Sequence, residues 1–148
     1  MSVTVNGSRI ILLAALLLLA AGGGPRSEAS SPGDARISAI TFTDRTENGR
    51  PVGAAKTFAA GTRRIYAVFH FEALDGQEVL EGRWISGSQE VMKQATRLAE
   101  VFNGPVPKSG RLWFWIQWDG GARPGKYRFE LRINGRFARE GTFEVKEQ

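Results

Sequence analysis

The stretch from Arg111 to Trp118 combines residue types and a spacing that could recognise a ligand. Leu112, Phe114, Ile116 and Trp118 alternate with Arg111, Trp113, Trp115 and Gln117. On a strand these sets occupy opposite faces. The uniformly apolar set belongs against a core, and the set that mixes Arg and Gln with two indoles belongs outside. Side chains two apart on a strand stand roughly 6.6–6.8 Å from each other. Trp113 and Trp115 would then form a flat apolar ledge with indole N–H donors at its rim. Such a ledge suits stacking on a sugar ring, or anchoring a protein partner, because Trp is enriched at interface hot spots. The competing arrangement is cover by another strand, or by Ser88–Asn103, since Trp is a highly buried residue on average. Trp113 and Trp115 are the candidate ligand-binding residues.

Other reactive types are sparse. The chain has one histidine, His70, with Glu72 two residues on and on the same strand face. That pair could serve general-base chemistry only beside a nucleophile, and a single exposed strand histidine is the simpler reading. One histidine and scattered carboxylates such as Asp34 and Asp44 give no metal-ligand spacing, and no carboxylate pair is singled out for glycoside hydrolysis. Cysteine is absent, which excludes a disulfide framework, a cysteine–zinc site, a thiol nucleophile and a lipid-modified cysteine after a leader. Gly120-Gly121 and Pro124-Gly125 lack the Gly-Lys-Ser/Thr signature and following helix of a phosphate loop, so they read as a turn. The expectation is a protein that is not an enzyme, with no cofactor and no metal.

What positions these residues begins with the N-terminus. Arg9 precedes Ile10–Ala21, an unbroken apolar run. As a helix the run spans about 18 Å, short of the roughly 30 Å hydrocarbon core. Small residues follow, with cleavage expected between 21 and 29. Residues 1–21 therefore read as a signal peptide, 22–35 as a flexible Gly/Ser/Pro/Ala linker, and 36–148 as the folded domain. No stable membrane anchor would remain after cleavage, and the product would be periplasmic or secreted.

The formal charge of the 148 residues is +5, and loss of Arg9 leaves about +4. The charges are interspersed, as in Arg128, Glu130 and Arg132, and no basic run exceeds Arg63-Arg64. A solvated surface explains this better than a phosphate track. Nucleic acid is not an expected partner.

From Arg36 onward, short apolar runs are separated by turn signals, the pattern of an antiparallel sandwich or barrel. Ile37, Ile40 and Phe42 open the series, and Asp44–Pro51 is a polar loop containing Asn48-Gly49. Arg64–Ala73 follows, with Ile65, Ala67, Phe69 and Phe71 on one face and Tyr66, Val68 and His70 on the other. Val79–Ile85 carries Trp84, and Arg111–Trp118, Lys126–Asn134 and Phe137–Lys146 complete the strands. Ser88–Asn103 places Val91, Met92, Ala95, Leu98, Ala99 and Phe102 at helical spacing. Its β surroundings favour edge strands or an irregular crossover.

The C-terminal hairpin allows a sharper expectation. Tyr127, Phe129, Leu131 and Ile133 share one face, and Phe137, Phe143 and Val145 follow Asn134-Gly135. A strict two-residue turn would put the latter three on the charged face. An extra residue, as a bulge or a longer turn, returns them to the core. A bulged hairpin is predicted, with all three inward.

Phe58, Ile65-Tyr66-Ala67-Val68-Phe69, Gly76, Arg83-Trp84 and Gly87 occur in that order. Pro124 to Leu131 (PGKYRFEL), Asn134-Gly135 and Phe143-Glu144-Val145 close the chain. Over roughly Arg36 to Lys146 this resembles the uncharacterised immunoglobulin-like β-sandwich domains found in many bacterial secreted proteins. The resemblance implies a single antiparallel sandwich of about seven strands, with Trp84 packed between the sheets. It lacks the flanking cysteine pair of true immunoglobulin domains, and the tryptophan-rich Trp113–Trp118 run departs from the usual pattern. It carries no activity over. Function must be argued from a site. The expectation is an exported module binding a protein or cell-envelope component, and the alternative is a carbohydrate-binding module using Trp113 and Trp115.

Overall fold

The computed structural model describes residues 36–148; the leader and linker expected over 1–35 lie outside them. The strands are, in chain order, β1 (Arg36–Ile37), β2 (Thr41–Thr43), β3 (Thr46–Glu47), β4 (Arg50–Pro51), β5 (Thr57–Ala59) and β6 (Arg64–Glu72). They continue with β7 (Val79–Ser86), β8 (Gln89–Arg97), helix α1 (Leu98–Phe102), β9 (Ser109–Gln117), β10 (Gly125–Ile133) and β11 (Arg136–Lys146). Strands β1 and β2 pair with successive stretches of β6, whose other edge carries β9. The second sheet runs β5-β11-β10-β7-β8. All pairings are antiparallel except β5 with β11. The first strand is thus split between the sheets, and its second half lies parallel to the last strand. Counting β1, β2 and β5 as one strand and setting aside the separate β3–β4 pair gives seven strands in the two sheets, and the topology is that of an immunoglobulin-like sandwich.

Strict alternation builds the core. Ile65, Ala67, Phe69 and Phe71 of β6 face Leu112, Phe114 and Ile116 of β9 in register, all at most 2% exposed. From the second sheet come Leu80, Trp84, Phe129, Leu131, Phe143 and Val145. Trp84 has no exposed surface and meets Phe129, Phe143 and Phe42 at ring-centroid distances of 4.7, 6.3 and 6.5 Å. It occupies the inter-sheet position expected of it. Tyr127, near the start of β10, donates its hydroxyl to the Arg123 carbonyl at 2.8 Å, the tyrosine-corner arrangement of such sandwiches.

The C-terminal hairpin is bulged, as its parity requires. Asn134 and Gly135 form the two-residue turn, both in left-handed conformations at φ 51° and 79°. Arg132 pairs with Phe137, but Leu131 pairs with Arg139, so Ala138 is the inserted residue. Phe143 and Val145 return to the core. Phe137 does not: it precedes the bulge, shares the outer face with Arg132, and is 57% exposed.

Ser88–Asn103 is mostly edge strand. β8 covers Gln89–Arg97, and only Leu98–Phe102 turns into a helix before β9. A register shift opposite Trp84/Ile85 leaves Val91 as an extra residue, which bends this edge. Beyond β9, Gly121 takes φ 83° where its loop crosses Gly61, and a Cβ there would stand 2.5 Å from the Gly61 Cα. The Gly61 N–H donates to the Ala122 carbonyl, and the Ala122 N–H donates to the Thr62 carbonyl. The Gly-rich segment after β9 is therefore a turn that locks onto the start of β6, in keeping with its sequence.

Candidate functional site

Trp113 and Trp115 lie on the outer face of the first sheet, on the side the alternation assigns. Val68 is opposite Trp113 and Tyr66 opposite Trp115, and Thr41 and Thr43 extend these rows onto β2. Together Tyr66, Val68 and Trp113 form a second small core, with Trp115 packed against it. Trp113 is only 2% exposed and Trp115 is half-buried. The expected open ledge of two indoles is not presented; Trp115 alone reaches solvent.

Tyr66, Val68 and the Arg111 guanidinium close in on Trp113, and Arg111 is itself tied to a neighbouring segment. The polar loop after β2 is a β-hairpin, β3–β4, turning through Asn48 and Gly49 at positive φ. Two hydrogen bonds fasten its second strand and the residue that follows to the outer face. The Thr43 hydroxyl donates to the Val52 carbonyl at 2.6 Å, and Arg111 Nη2 donates to the Pro51 carbonyl at 2.6 Å. The Arg111 guanidinium also lies 5.8 Å from the Trp113 ring centroid. Burial, and then repulsion from Arg50, lower its pKa.

Trp115 is held from both sides. Arg64 lies 6.0 Å from its ring centroid and donates to Gln117 Oε1 and, at 3.3 Å, to the Tyr66 hydroxyl. Behind it, Gln94 of β8 donates from Nε2 to the Trp115 carbonyl at 2.8 Å. The same side chain accepts from Trp84 Nε1 at 3.2 Å. One glutamine thus ties the buried indole of one sheet to the backbone of the other. His70 is exposed beside Arg111, with its backbone N–H donating to Ser38 Oγ at 2.8 Å, and Glu72 follows on the same face.

The outer face of the second sheet is a ladder of charges. Glu130, 8% exposed, accepts from Arg132 Nε at 2.5 Å and lies 3.7 Å from Arg83. Arg83 also bonds Glu90 at 2.6 Å, and that bond raises its pKa. Lys93 pairs with Glu81 at 3.6 Å. Across the middle of the sheet, each cation therefore has a carboxylate.

Toward one end of this face the pattern changes. An open groove of about 590 Å³ runs over the start of β5, β11 and β10, lined by Lys56, Thr57, Lys126, Arg128, Thr142 and Glu144 among others. Glu144 pairs with Lys146 at 3.7 Å, and Arg128 reaches Glu140 only at 3.9 Å. No carboxylate among the described residues pairs with the Lys56 or Lys126 ammonium groups. A second opening, of about 250 Å³, adjoins the groove through Lys56 and Thr142 and is lined by Ile40, Thr41, Phe42, Ala54 and Ala55. Sequence reasoning missed this site. Its cations come from two segments distant in sequence, and only the parallel β5–β11 pairing brings Lys56 beside Lys126 and Arg128 of β10.

Neither a known protein family nor any curated protein sequence matches the chain. The chain is similar in fold, at low identity, to solved structures that include the following two. One is the alkylpurine DNA glycosylase AlkC of Pseudomonas fluorescens bound to DNA containing an abasic site analogue. It matches with TM-score 0.49, 12% identity and 78% of this chain covered, and this chain spans 31% of the glycosylase's length. The other is an immunoglobulin-like protein of Pseudomonas aeruginosa, with TM-score 0.49 and 10% identity, covering 79% of this chain and 100% of that one. By its strand order, its inter-sheet tryptophan and its tyrosine corner, the described domain is an immunoglobulin-like β-sandwich.

Proposed function

We propose that this chain is an exported, non-catalytic β-sandwich module that binds a protein or a cell-envelope component. The observation that carries the reading is the groove at Lys56, Lys126 and Arg128. One outer face carries its own hairpin, fastened through Arg111, and the other is closed by its own ion pairs, whereas the groove presents cations that no carboxylate among the described residues compensates, beside an apolar opening. Large-scale rearrangement is not needed for access, since the lining side chains of Lys56, Thr57, Lys126 and Arg128 are exposed. Export is supported by Arg9 and the apolar run over Ile10–Ala21. The carbohydrate-stacking alternative loses half of its platform, because Trp113 is buried and only Trp115 reaches solvent.

The test is site-specific photo-crosslinking in the producing cell. The photoreactive residue is placed at Thr57 in the groove and, in a second variant of the same protein, at Arg136, an exposed position outside it. A discrete adduct from Thr57, recovered outside the cytoplasm and absent from Arg136, supports the reading. Adducts from neither position, or equally from both, or only in the cytoplasm, refute it.

A further inference from the structure

We infer that the groove and the adjoining opening together receive one extended acidic peptide segment, with an apolar side chain next to its carboxylates. The inference rests on the binding-module reading and names the partner's chemistry. The charge distribution comes first. Elsewhere on this face Arg83, Arg132 and Lys93 are neutralised by Glu130, Glu90 and Glu81. At the groove the balance reverses: among the described residues Lys56 and Lys126 have no carboxylate, Arg128 holds one at the limit of pairing, and Glu144 is already taken by Lys146. A surface built this way favours anions through complementarity of potential.

The second observation is shape. Lys56 and Thr142 belong to both openings, so a ligand whose charge meets Lys56 necessarily lies beside Ile40, Ala54 and Ala55. A bare phosphate or sulfate would use the first opening and leave the second empty.

The third observation selects a peptide over an anionic polysaccharide. β5 pairs with β11 only at Glu144–Lys146, and the Glu144 N–H donates away from β10 to the Lys56 carbonyl. In an antiparallel strand, alternate residues point their N–H and C=O to the same side. Thr142, two residues before Glu144, therefore presents its backbone groups toward the apolar opening, where β5 does not reach. An extended main chain satisfies such groups by strand addition, with side chains read by the flanking pockets.

The experiment uses a fluorescein-labelled hexapeptide of alternating Glu and Leu, titrated with the mature protein and read by anisotropy. The comparison ligands are the same peptide with Gln in place of Glu, and heparin as a polyanionic polysaccharide. The variants are Lys56→Glu and Lys126→Glu for the charges, Ala54→Trp to fill the apolar opening, and Arg136→Glu as an exposed charge reversal elsewhere. All four positions are exposed, and circular dichroism confirms that each variant folds. We expect the Glu/Leu peptide to bind, with Kd raised about tenfold by each lysine reversal and by Ala54→Trp, and unchanged by Arg136→Glu. Equal binding of the Gln peptide overturns the inference, as does equal weakening by Arg136→Glu. Lysine-dependent binding of heparin alone overturns it in favour of a polysaccharide. If the Thr57 adduct forms in cells while the peptide fails to bind, the acidic-peptide inference falls and the binding-module reading stands. If both fail, both fall.

Discussion

Replacing Gln94 with Leu should cost more than any other single change on the β8 edge. The substitution keeps the approximate volume and removes one donor and one acceptor. It leaves the Trp84 Nε1–H, whose residue has no exposed surface, and the Trp115 carbonyl without their partners. A buried group left unsatisfied costs roughly 1–3 kcal/mol. The Trp115 carbonyl sits in a part-buried bond, so its share is taken at the low end of that range. The indole remains, and the expected loss is about 2–3 kcal/mol out of a stability of roughly 5–15 kcal/mol for a domain of this size. Urea unfolding followed by far-ultraviolet circular dichroism measures it without depending on the tryptophans being altered. The decisive comparison repeats Gln94→Leu in a Trp84→Phe background, where no indole N–H remains to be stranded. There the penalty should shrink by about 1–2 kcal/mol, giving a coupling between the two sites. A Gln94→Leu protein within about 0.5 kcal/mol of wild type would refute the argument. So would a penalty that is the same in both backgrounds.

Deleting Ala138 should be tolerated, because Leu131 keeps Arg139 as its partner and Phe143 and Val145 stay inward in a ladder that is now regular; thermal melting should retain the native transition, and its loss would refute the bulge assignment. Phe137→Ser, at a side chain 57% exposed, should move the melting midpoint by an amount worth less than about 0.5 kcal/mol. Iodide quenching of tryptophan fluorescence should fall on Trp115→Phe and stay unchanged on Trp113→Phe, and the opposite result would place Trp113 in solvent. Gly121→Ala should destabilise by about 2 kcal/mol or more in urea unfolding, because both its positive φ and the Gly61 backbone oppose a Cβ.

The alternation of Ile65 to Phe71 and of Leu112 to Ile116 makes both faces of the first sheet legible in the sequence, because each strand is long and buried on one side. Parity alone demands a bulge in the last hairpin. It does not locate the bulge, and the inserted residue sits after Phe137 rather than before it. That is why one of three aromatic and aliphatic side chains assigned to the core points into solvent. The helical spacing of Val91, Met92, Ala95 and Leu98 misleads because β8 is an edge strand with an extra residue at Val91, and the insertion blurs a period of two. Trp113 is legible in direction and not in exposure. Arg111 lies over it and is held by the backbone carbonyl of Pro51, in a hairpin of polar residues that reads as a loop, and a backbone acceptor leaves no mark in side-chain pattern. The groove is illegible for a similar reason. Lys126 and Arg128 are ordinary surface cations of one strand until long-range pairing sets Lys56 beside them.

The parallel pairing of β5 with β11 also fixes how the domain answers a pull. The bonds from Thr57–Ala59 to Glu144–Lys146 join the beginning of the sandwich to its end. Tension drawing the chain backward before β5 and forward after β11 runs along both strands in opposite directions. The rungs between them are then loaded together in shear, instead of opening one after another like a zip. With so few rungs they yield as a unit, so stretching between those points should give one sharp rupture, set by an unfolding rate rather than by equilibrium stability.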